Sequence, residues 1–420
     1  MQGKKLVACF AIAVVALFAA VSLSAQSKTV IRYTRWAGSN EARDFARLVA
    51  AYSAGHPDIE VKAEFLPWAA YWEKVRTTIM SGDAADVISL SNSEAGPYLT
   101  RGAFMDLDTM PGANDLFAQM QPGGQSADLV NGKIKAMPVG AGVRAMIYNK
   151  DLLDKAGIKY PSPESPMTWD QFFEISRKLS IKQGANYVQY AARFHVLEMY
   201  ESIVVSCGGR LMDNYTRPTR VLLNSPDGIQ GLTITQRLFT ENVMPPYTGE
   251  WQTEFGTPDS AVVTGKIAFM QTGPWSLGAL NDARIKYGTC PVPMARTRSN
   301  RGYINSIAIY RGSKKAQAAW DFIKWMAGVE GQLEFTKTGD LPANTNALGR
   351  AQKEGANSEI MKAFFGELPY VITGPMLPTS EFTGLLETAM TELFQLKATP
   401  EQTAARIEQE GNAIISSIFE

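Results

Sequence analysis

Aromatic residues gather near predicted loops: Trp36, Trp68, Tyr71, Trp72, Tyr98, Trp251, Trp275 and Tyr303. Polar groups stand beside several of them. Ser39, Asn40 and Glu41 follow Trp36, and Asn92, Ser93 and Glu94 come further along. Flat rings cover apolar C–H faces, while carboxylates, amides and guanidinium groups bond hydroxyls at an edge. That division of labour suits a small ligand with both kinds of surface, such as a sugar.

Motifs for covalent chemistry are missing. The chain has 2 histidines, His56 in a turn before Pro57 and His195 with no partner at helical spacing. No H-E-x-x-H motif, Cys/His cluster, G-x-S-x-G elbow or Walker loop occurs. Gly140 to Ala145 matches G-x-G-x-x-A, but a dinucleotide loop must open a helix and Ala145 to Tyr148 reads as strand. No cofactor, no metal and no enzymatic activity are expected. Carboxylate pairs of the glycosidase kind are not set by sequence spacing, so a secreted glycan-active enzyme stays an alternative.

The elements that must position these groups alternate. Val30 to Trp36 reads as a strand, followed by Ser39 and Asn40 as helix-capping side chains. Phe45, Leu48, Val49 and Tyr52 then form one apolar helix face, closed by Gly55. Ile59, Val61, Ala63 and Phe65 alternate with charged residues, a strand with one wet face. A helix over Tyr71 to Met80 leads to a strand over Asp86 to Leu90. Further on, Lys150 to Ala156 is a helix stopped by Gly157, and Thr168 with Gln171 makes a capping box. Ala316, Ala319, Trp320, Ile323, Met326 and Ala327 form another apolar face, and two helices follow Leu385. The fold class is α/β. Open sheets bind ligands beyond the carboxyl ends of their strands, so the loops after Trp36 and Leu90 are the first candidates.

The 420 residues exceed one ordinary core, and 41 basic against 41 acidic residues leave no footprint for nucleic acid. Lys4 and Lys5, an apolar run to Leu23, and small residues at Ser22, Ser24 and Ala25 make a cleavable signal peptide. Cys9 lies at the start of the apolar run instead of after it, so no lipid anchor is expected. The mature chain keeps Cys207 and Cys290, read as free buried thiols.

Several short stretches, in order, resemble the family-1 extracellular solute-binding proteins, the group of maltose-binding protein. They include Tyr52–Val61, Ser81-Gly82-Asp83-Ala84-Ala85-Asp86-Val87, Gly102–Asp108, Met137-Pro138-Val139, Ile147–Leu153, Gly208-Gly209, Gly273-Pro274-Trp275, Pro291-Val292-Pro293, Ala319–Ile323 and Leu341-Pro342-Ala343. Ala85 departs from the family's usual proline. The resemblance implies a two-lobed periplasmic-binding-protein fold, each lobe an open sheet flanked by helices, joined by three hinge crossings. These are expected near Val139–Val143, Thr289–Pro291 and Asp340–Thr345. The expected division is then 1–25 signal peptide, 26–140 and 290–340 first lobe, 141–289 and 341–420 second lobe.

The resemblance further implies the extracytoplasmic binding component of an ABC importer. A monomer would take a carbohydrate in the cleft and deliver it to membrane permease subunits. A polyamine or oxyanion ligand is the alternative within the fold. Trp275 is implied to stack on the sugar. Trp36, Ser39, Asn40, Glu41, Asn92, Ser93 and Glu94 are candidates by their place beyond strand ends. Tyr71 matches a family aromatic, while Arg144 and Tyr303 lie near crossings.

Overall fold

The computed structural model describes residues 28–215, 218–248, 256–355, 358–372, 374 and 380–419. The expected leader and Trp251 lie outside these residues.

Two five-stranded sheets organise the chain. In the first, Ile59–Leu66, Thr29–Trp36 and Val87–Ser91 run parallel in that order. Tyr303–Ile309 adds antiparallel to Val87–Ser91, and Met137–Gly142 lies antiparallel beyond it. Central Val87–Ser91 is buried throughout, whereas edge strand Ile59–Leu66 alternates between covered and wet. The second sheet runs Tyr287–Cys290, Ala145–Asn149, Ile267–Thr272, Asn186–Arg193, Ile181–Gln183. Ile267–Thr272 and Asn186–Arg193 are parallel neighbours, and the other pairs are antiparallel. The glycines of the dinucleotide-like string sit at the end of Met137–Gly142 and open a strand, not a helix.

Each sheet has its own core, which makes two lobes. Tyr33, Phe45, Ile307, Trp320 and Phe322 pack the first. Phe172, Phe269, Met390, Leu393 and Ile407 pack the second, so the C-terminal helices Glu381–Phe394 and Pro400–Phe419 belong there. Cys207 and Cys290 are free and buried in this core. Burial pushes the Cys207 thiol up to about 11.

Local chemistry explains most helix ends. Thr168 and Gln171 form the expected reciprocal capping box, with bonds of 3.2 and 2.8 Å. Gly157 turns left-handed, φ 64°, just past Lys150–Lys155. The helix Ser39–Gly55 differs from expectation at both ends. Its cap is Gly38, whose N–H donates to Glu41 Oε2 at 2.8 Å, so Ser39 and Asn40 already stand inside the first turn. Gly55 is the last helical residue, and His56 closes the helix with φ −133°.

The chain passes between the sheets three times. Val143 and Arg144 link Met137–Gly142 to Ala145–Asn149. The second passage comes later than the Thr289–Pro291 expected. Met294 and Arg296 N–H groups still donate to Met167 and Ser206 carbonyls of the second lobe, and the first sheet resumes only at Tyr303. The third is also later than Asp340–Thr345. Leu341 exchanges backbone bonds with Ala141, and Thr345 N–H donates to Gln119 O, both on the first-lobe side. The helix Thr345–Gly355 then leads to Glu359–Glu367, where Ile360 O accepts from Thr289 Oγ1 at 2.9 Å.

Asp128 is buried in the first lobe and accepts the Ser306 hydroxyl. Burial pushes its carboxyl up to about 7, and the Ser306 bond opposes this only partly. The folded state therefore holds the proton more tightly than the unfolded chain. Stability from this group is complete below the unfolded value of about 4 and is lost as pH rises through about 7. Asp128→Asn should gain stability over wild type at pH 8 and little at pH 5. Urea midpoints at both pH values check this; an identical difference at both would mean that Asp128 does not titrate there.

Candidate functional site

A cavity of ≈ 220 Å³ lies between the lobes. The first lobe supplies its wall from strand ends. Trp36 ends Thr29–Trp36, Ser91 ends Val87–Ser91, and Tyr303 and Asn305 begin the antiparallel strand beside it. Glu41 joins from the first turn of its helix, and Trp68 from the start of Trp68–Ser81. The second lobe supplies Arg144, Glu198 and Trp275. Glu198 stands in the first turn of Val196–Ser206, and Trp275 follows the strand Ile267–Thr272. This is the crevice beyond strand carboxyl ends where open sheets place ligands.

The aromatic groups are braced from behind. Trp36 meets Trp68 edge-on at 5.0 Å and lies against Tyr71 at 5.5 Å and Trp72 at 6.1 Å. Across the cleft, the Trp275 and Tyr303 rings sit 5.7 Å apart and tilted by 48°. Gly339 at φ 103° lets the segment ahead of the third passage run directly over Trp275; a β-carbon there would fall 2.4 Å from the Trp275 Cα. Gly142 makes similar room for Tyr303, whose ring would be 2.0 Å from an added β-carbon.

A polar floor lies beneath the rings. Buried Arg35 meets Asp340 at 3.3 Å, and Asn305 Nδ2 donates to the same Asp340 oxygen at 2.7 Å. The Arg35 guanidinium also lies over the Trp36, Phe45 and Phe335 rings, 4.5, 4.1 and 4.9 Å from their centres. Its Nε and Nη1 and Asn305 Oδ1 have no hydrogen-bond partner among the described residues. Burial raises the Asp340 carboxyl despite the lowering by Arg35 and Asn305. Burial also raises Glu41, opposed by the Gly38 N–H bond. Arg144 pairs with Glu198 and lies 5.3 Å from the Tyr303 ring centre. Among the described residues no group of three His, Cys, Asp or Glu side chains is placed to hold a metal ion.

The expected site residues divide. Trp36, Glu41, Ser93, Arg144, Trp275 and Tyr303 line the cavity together. Tyr71 does not: it is wholly buried behind Trp36 and donates its hydroxyl to Ser89 O at 2.5 Å. Asn92 does not either; its side chain accepts the Ile304 N–H at 2.9 Å and extends the strand pairing. Glu94 is exposed to solvent, yet surrounding protein still desolvates its carboxyl. That desolvation, with Glu387 and Glu198 of the second lobe, pushes it up to about 7, against Arg76. Ser39 and Asn40 occupy the helix start beside the cavity, and their side chains lie outside the described set.

Trp68, named only among the loop aromatics, also lines the wall, as do Arg35, Ser91, Glu198, Asn305 and Asp340, which had not been singled out. Arg35 did carry a signal. It shares the strand face of buried Ile31 and Tyr33, where a cation needs a partner. Asp340 carried none, being 305 positions from Arg35.

The chain is similar in sequence and in fold to several known proteins. A Brucella abortus protein described as a binding protein is 24% identical over 381 residues, covering 88% of this chain and 89% of its own. The maltotriose-binding protein of Pyrococcus abyssi is 26% identical over 293 residues, 68% of this chain and 60% of its own. The galactooligosaccharide-binding protein of Bacillus subtilis is 22% identical over 317 residues, 73% and 72% of the two chains. In fold, the chain superposes on an ABC substrate-binding protein of Listeria monocytogenes in complex with cycloalternan. That match has a TM-score of 0.81 and 22% identity, and covers 93% of this chain and 100% of that one. A maltose-bound protein of T. maritima matches with a TM-score of 0.77 and 19% identity, covering 92% and 100%. The family model for bacterial extracellular solute-binding proteins matches residues 47–363. With its two lobes and interlobe cavity, this chain belongs to the bacterial extracellular solute-binding protein family.

Proposed function

We propose that the protein binds a sugar or oligosaccharide in the interlobe cavity and delivers it to the permease of an ABC importer. The observation that carries this reading is the pairing of ring faces with a buried polar floor. Trp275, Trp36, Trp68 and Tyr303 surround the same space that Arg35, Asp340, Asn305 and Glu41 reach from below. Sugar rings need both surfaces at once. The maltotriose- and galactooligosaccharide-binding relatives support the choice of ligand class.

Because walls come from both lobes, a ligand touching both favours the closed arrangement over the open one. Closure makes one shape for the permease to read. Export by the leader at residues 1–25, release without a lipid anchor, and action as a monomer complete the proposal. Among the described residues, no helix is long and apolar enough to cross a membrane. The protein turns over no substrate in this reading.

Melting temperature of the mature chain against a sugar panel, with polyamines and oxyanions as controls, tests the proposal. A ligand confined to the folded state adds about 2.7 kcal/mol at a hundredfold excess over Kd. One sugar should raise the melting temperature by several degrees, and Trp275→Ala should weaken its Kd by about tenfold or more. A rise only with a polyamine or an oxyanion would refute the sugar assignment.

The polar floor gives a second expectation. Asp340→Asn leaves the Arg35 cation buried without its counter-charge, which costs about 3 kcal/mol. Urea unfolding should show this loss, and sugar affinity should fall with it. The double variant Arg35→Met, Asp340→Leu should recover much of the stability but not the affinity. Recovery of both would place Arg35 outside ligand binding.

A further inference from the structure

The turn that carries Trp275 is pinned by three polar side chains, none of them among the described residues that line the interlobe cavity. Thr272 ends the strand Ile267–Thr272, and Ser276 ends the short turn Pro274–Ser276. Their hydroxyls flank Trp275 in sequence and meet each other at 2.8 Å. Ser276 Oγ also donates to Asp259 Oδ1 at 2.9 Å. Both hydroxyls are buried, where an unmet polar group is costly. Asp259 stands in the first turn of Pro258–Val263, whose Ala261 and Val262 pack with Ile267 and Met270 of the strand. The chain of bonds thus ties the turn to a fixed part of the second lobe.

Proton count sets the direction of this chain. Ser276 has a single hydroxyl proton. Donating it to the Asp259 carboxylate leaves its lone pairs to accept from Thr272. A bond onto a carboxylate is the stronger kind, so the anchor at Asp259 resists movement of the turn more than the hydroxyl pair does. Trp275 depends on that turn for its ring position. The ring lies back over Gly273, where an added β-carbon would fall 1.6 Å from it, and Gly339 covers the Trp275 Cα. A gap of roughly 0.5 to 1 Å already loses a quarter to a half of a dispersion contact, so a small shift of the turn spoils a stacking face.

Resting on the sugar reading above, we infer that Asp259, acting through Ser276 and Thr272, is a positioning residue for Trp275. It sets the ring plane on which the ligand stacks without touching the ligand.

Three variants of the full mature chain test this. Asp259→Leu removes the anchor. Ser276→Ala removes the central hydroxyl with little change of volume, should the first fold poorly. Asp259→Asn keeps an acceptor oxygen and loses the charge. The charge needs its own control, since after burial itself Asp340 and Asp259 raise the Glu41 carboxyl of the cavity. Fluorine NMR of fluorotryptophan-labelled protein without ligand reads the ring, and Trp275→Phe assigns its resonance. That resonance should move or split in Asp259→Leu and Ser276→Ala, and Asp259→Asn should restore its wild-type place. Calorimetry with the sugar that most stabilises the wild type then reads affinity. Asp259→Leu and Ser276→Ala should weaken Kd at least about fivefold, and Asp259→Asn should recover most of that loss. In a Trp275→Ala background the same two substitutions should change Kd by less than about twofold, because the residue they act through is gone. A resonance unmoved in both variants, or equal fold-losses with and without Trp275, would overturn the assignment. A loss in Asp259→Asn as large as in Asp259→Leu would overturn it too, placing the effect in the charge. A wild type that binds no sugar would overturn the sugar reading, and the fluorine spectra would still decide whether Asp259 sets the ring.

Discussion

The cleft depends on a buried cation. Taking a guanidinium out of water costs several kcal/mol unless charge and hydrogen bonds replace the solvent. Arg35 finds part of that replacement in Asp340, with three aromatic rings around it, while its Nε and Nη1 have no hydrogen-bond partner among the described residues. The partners arrive from the first strand, the antiparallel fourth strand and the segment at Asp340 that precedes the third passage. Satisfying Arg35 thus requires the first sheet to be complete and the Asp340 segment to be seated on it. Completing the first lobe therefore also assembles the polar floor of the cavity.

Trp275 extends the same logic across the lobes. The first-lobe segment that carries Asp340 also carries Gly339, whose left-handed backbone lies over Trp275. Ring and carboxylate are therefore positioned by neighbouring residues of one segment. On the other side, Asn300 donates to Arg144 O at 2.6 Å and to Glu367 at 2.8 Å. That amide joins the first passage, the second passage and the helix that follows the third. Arg144 reaches the cavity from this knot and meets Glu198 there. Arg144 and Trp275 are thus tied to the passages themselves, so under the proposed cleft binding a ligand pressing on either would act on the hinge.

Much of the fold was legible because its signals are short-range. Phe45, Leu48, Val49 and Tyr52 mark a buried face by spacing alone, and Thr168 with Gln171 marks a helix start. Trp36, Glu41, Ser93, Trp275 and Tyr303 were within reach for a related reason. Strand ends and the short sequences around them indicate where a cleft must open. The reading overreached at Tyr71, which came from the family resemblance, and at Asn92, which came from its place beyond a strand end. Their polar atoms are consumed by Ser89 O and the Ile304 N–H. Position beyond a strand does not reveal whether a neighbouring backbone has already claimed the side chain.

By itself the sequence determined the alternation of strands and helices, two cores' worth of apolar faces, and the absence of catalytic and metal motifs. It also determined the family, through many weak motifs in order. Tertiary structure decided which charges meet. Tyr303–Ile309 inserts between Val87–Ser91 and Met137–Gly142, and this order brings Asn305 and Asp340 to Arg35. It also decided that the passages run later than the motif boundaries suggested, since residues 294–297 and 341–345 keep their backbone partners in the lobe they are leaving. The physical reason is range. Periodicity and capping act over a few residues, whereas ion pairs and hinge contacts depend on strand order, which no local window contains.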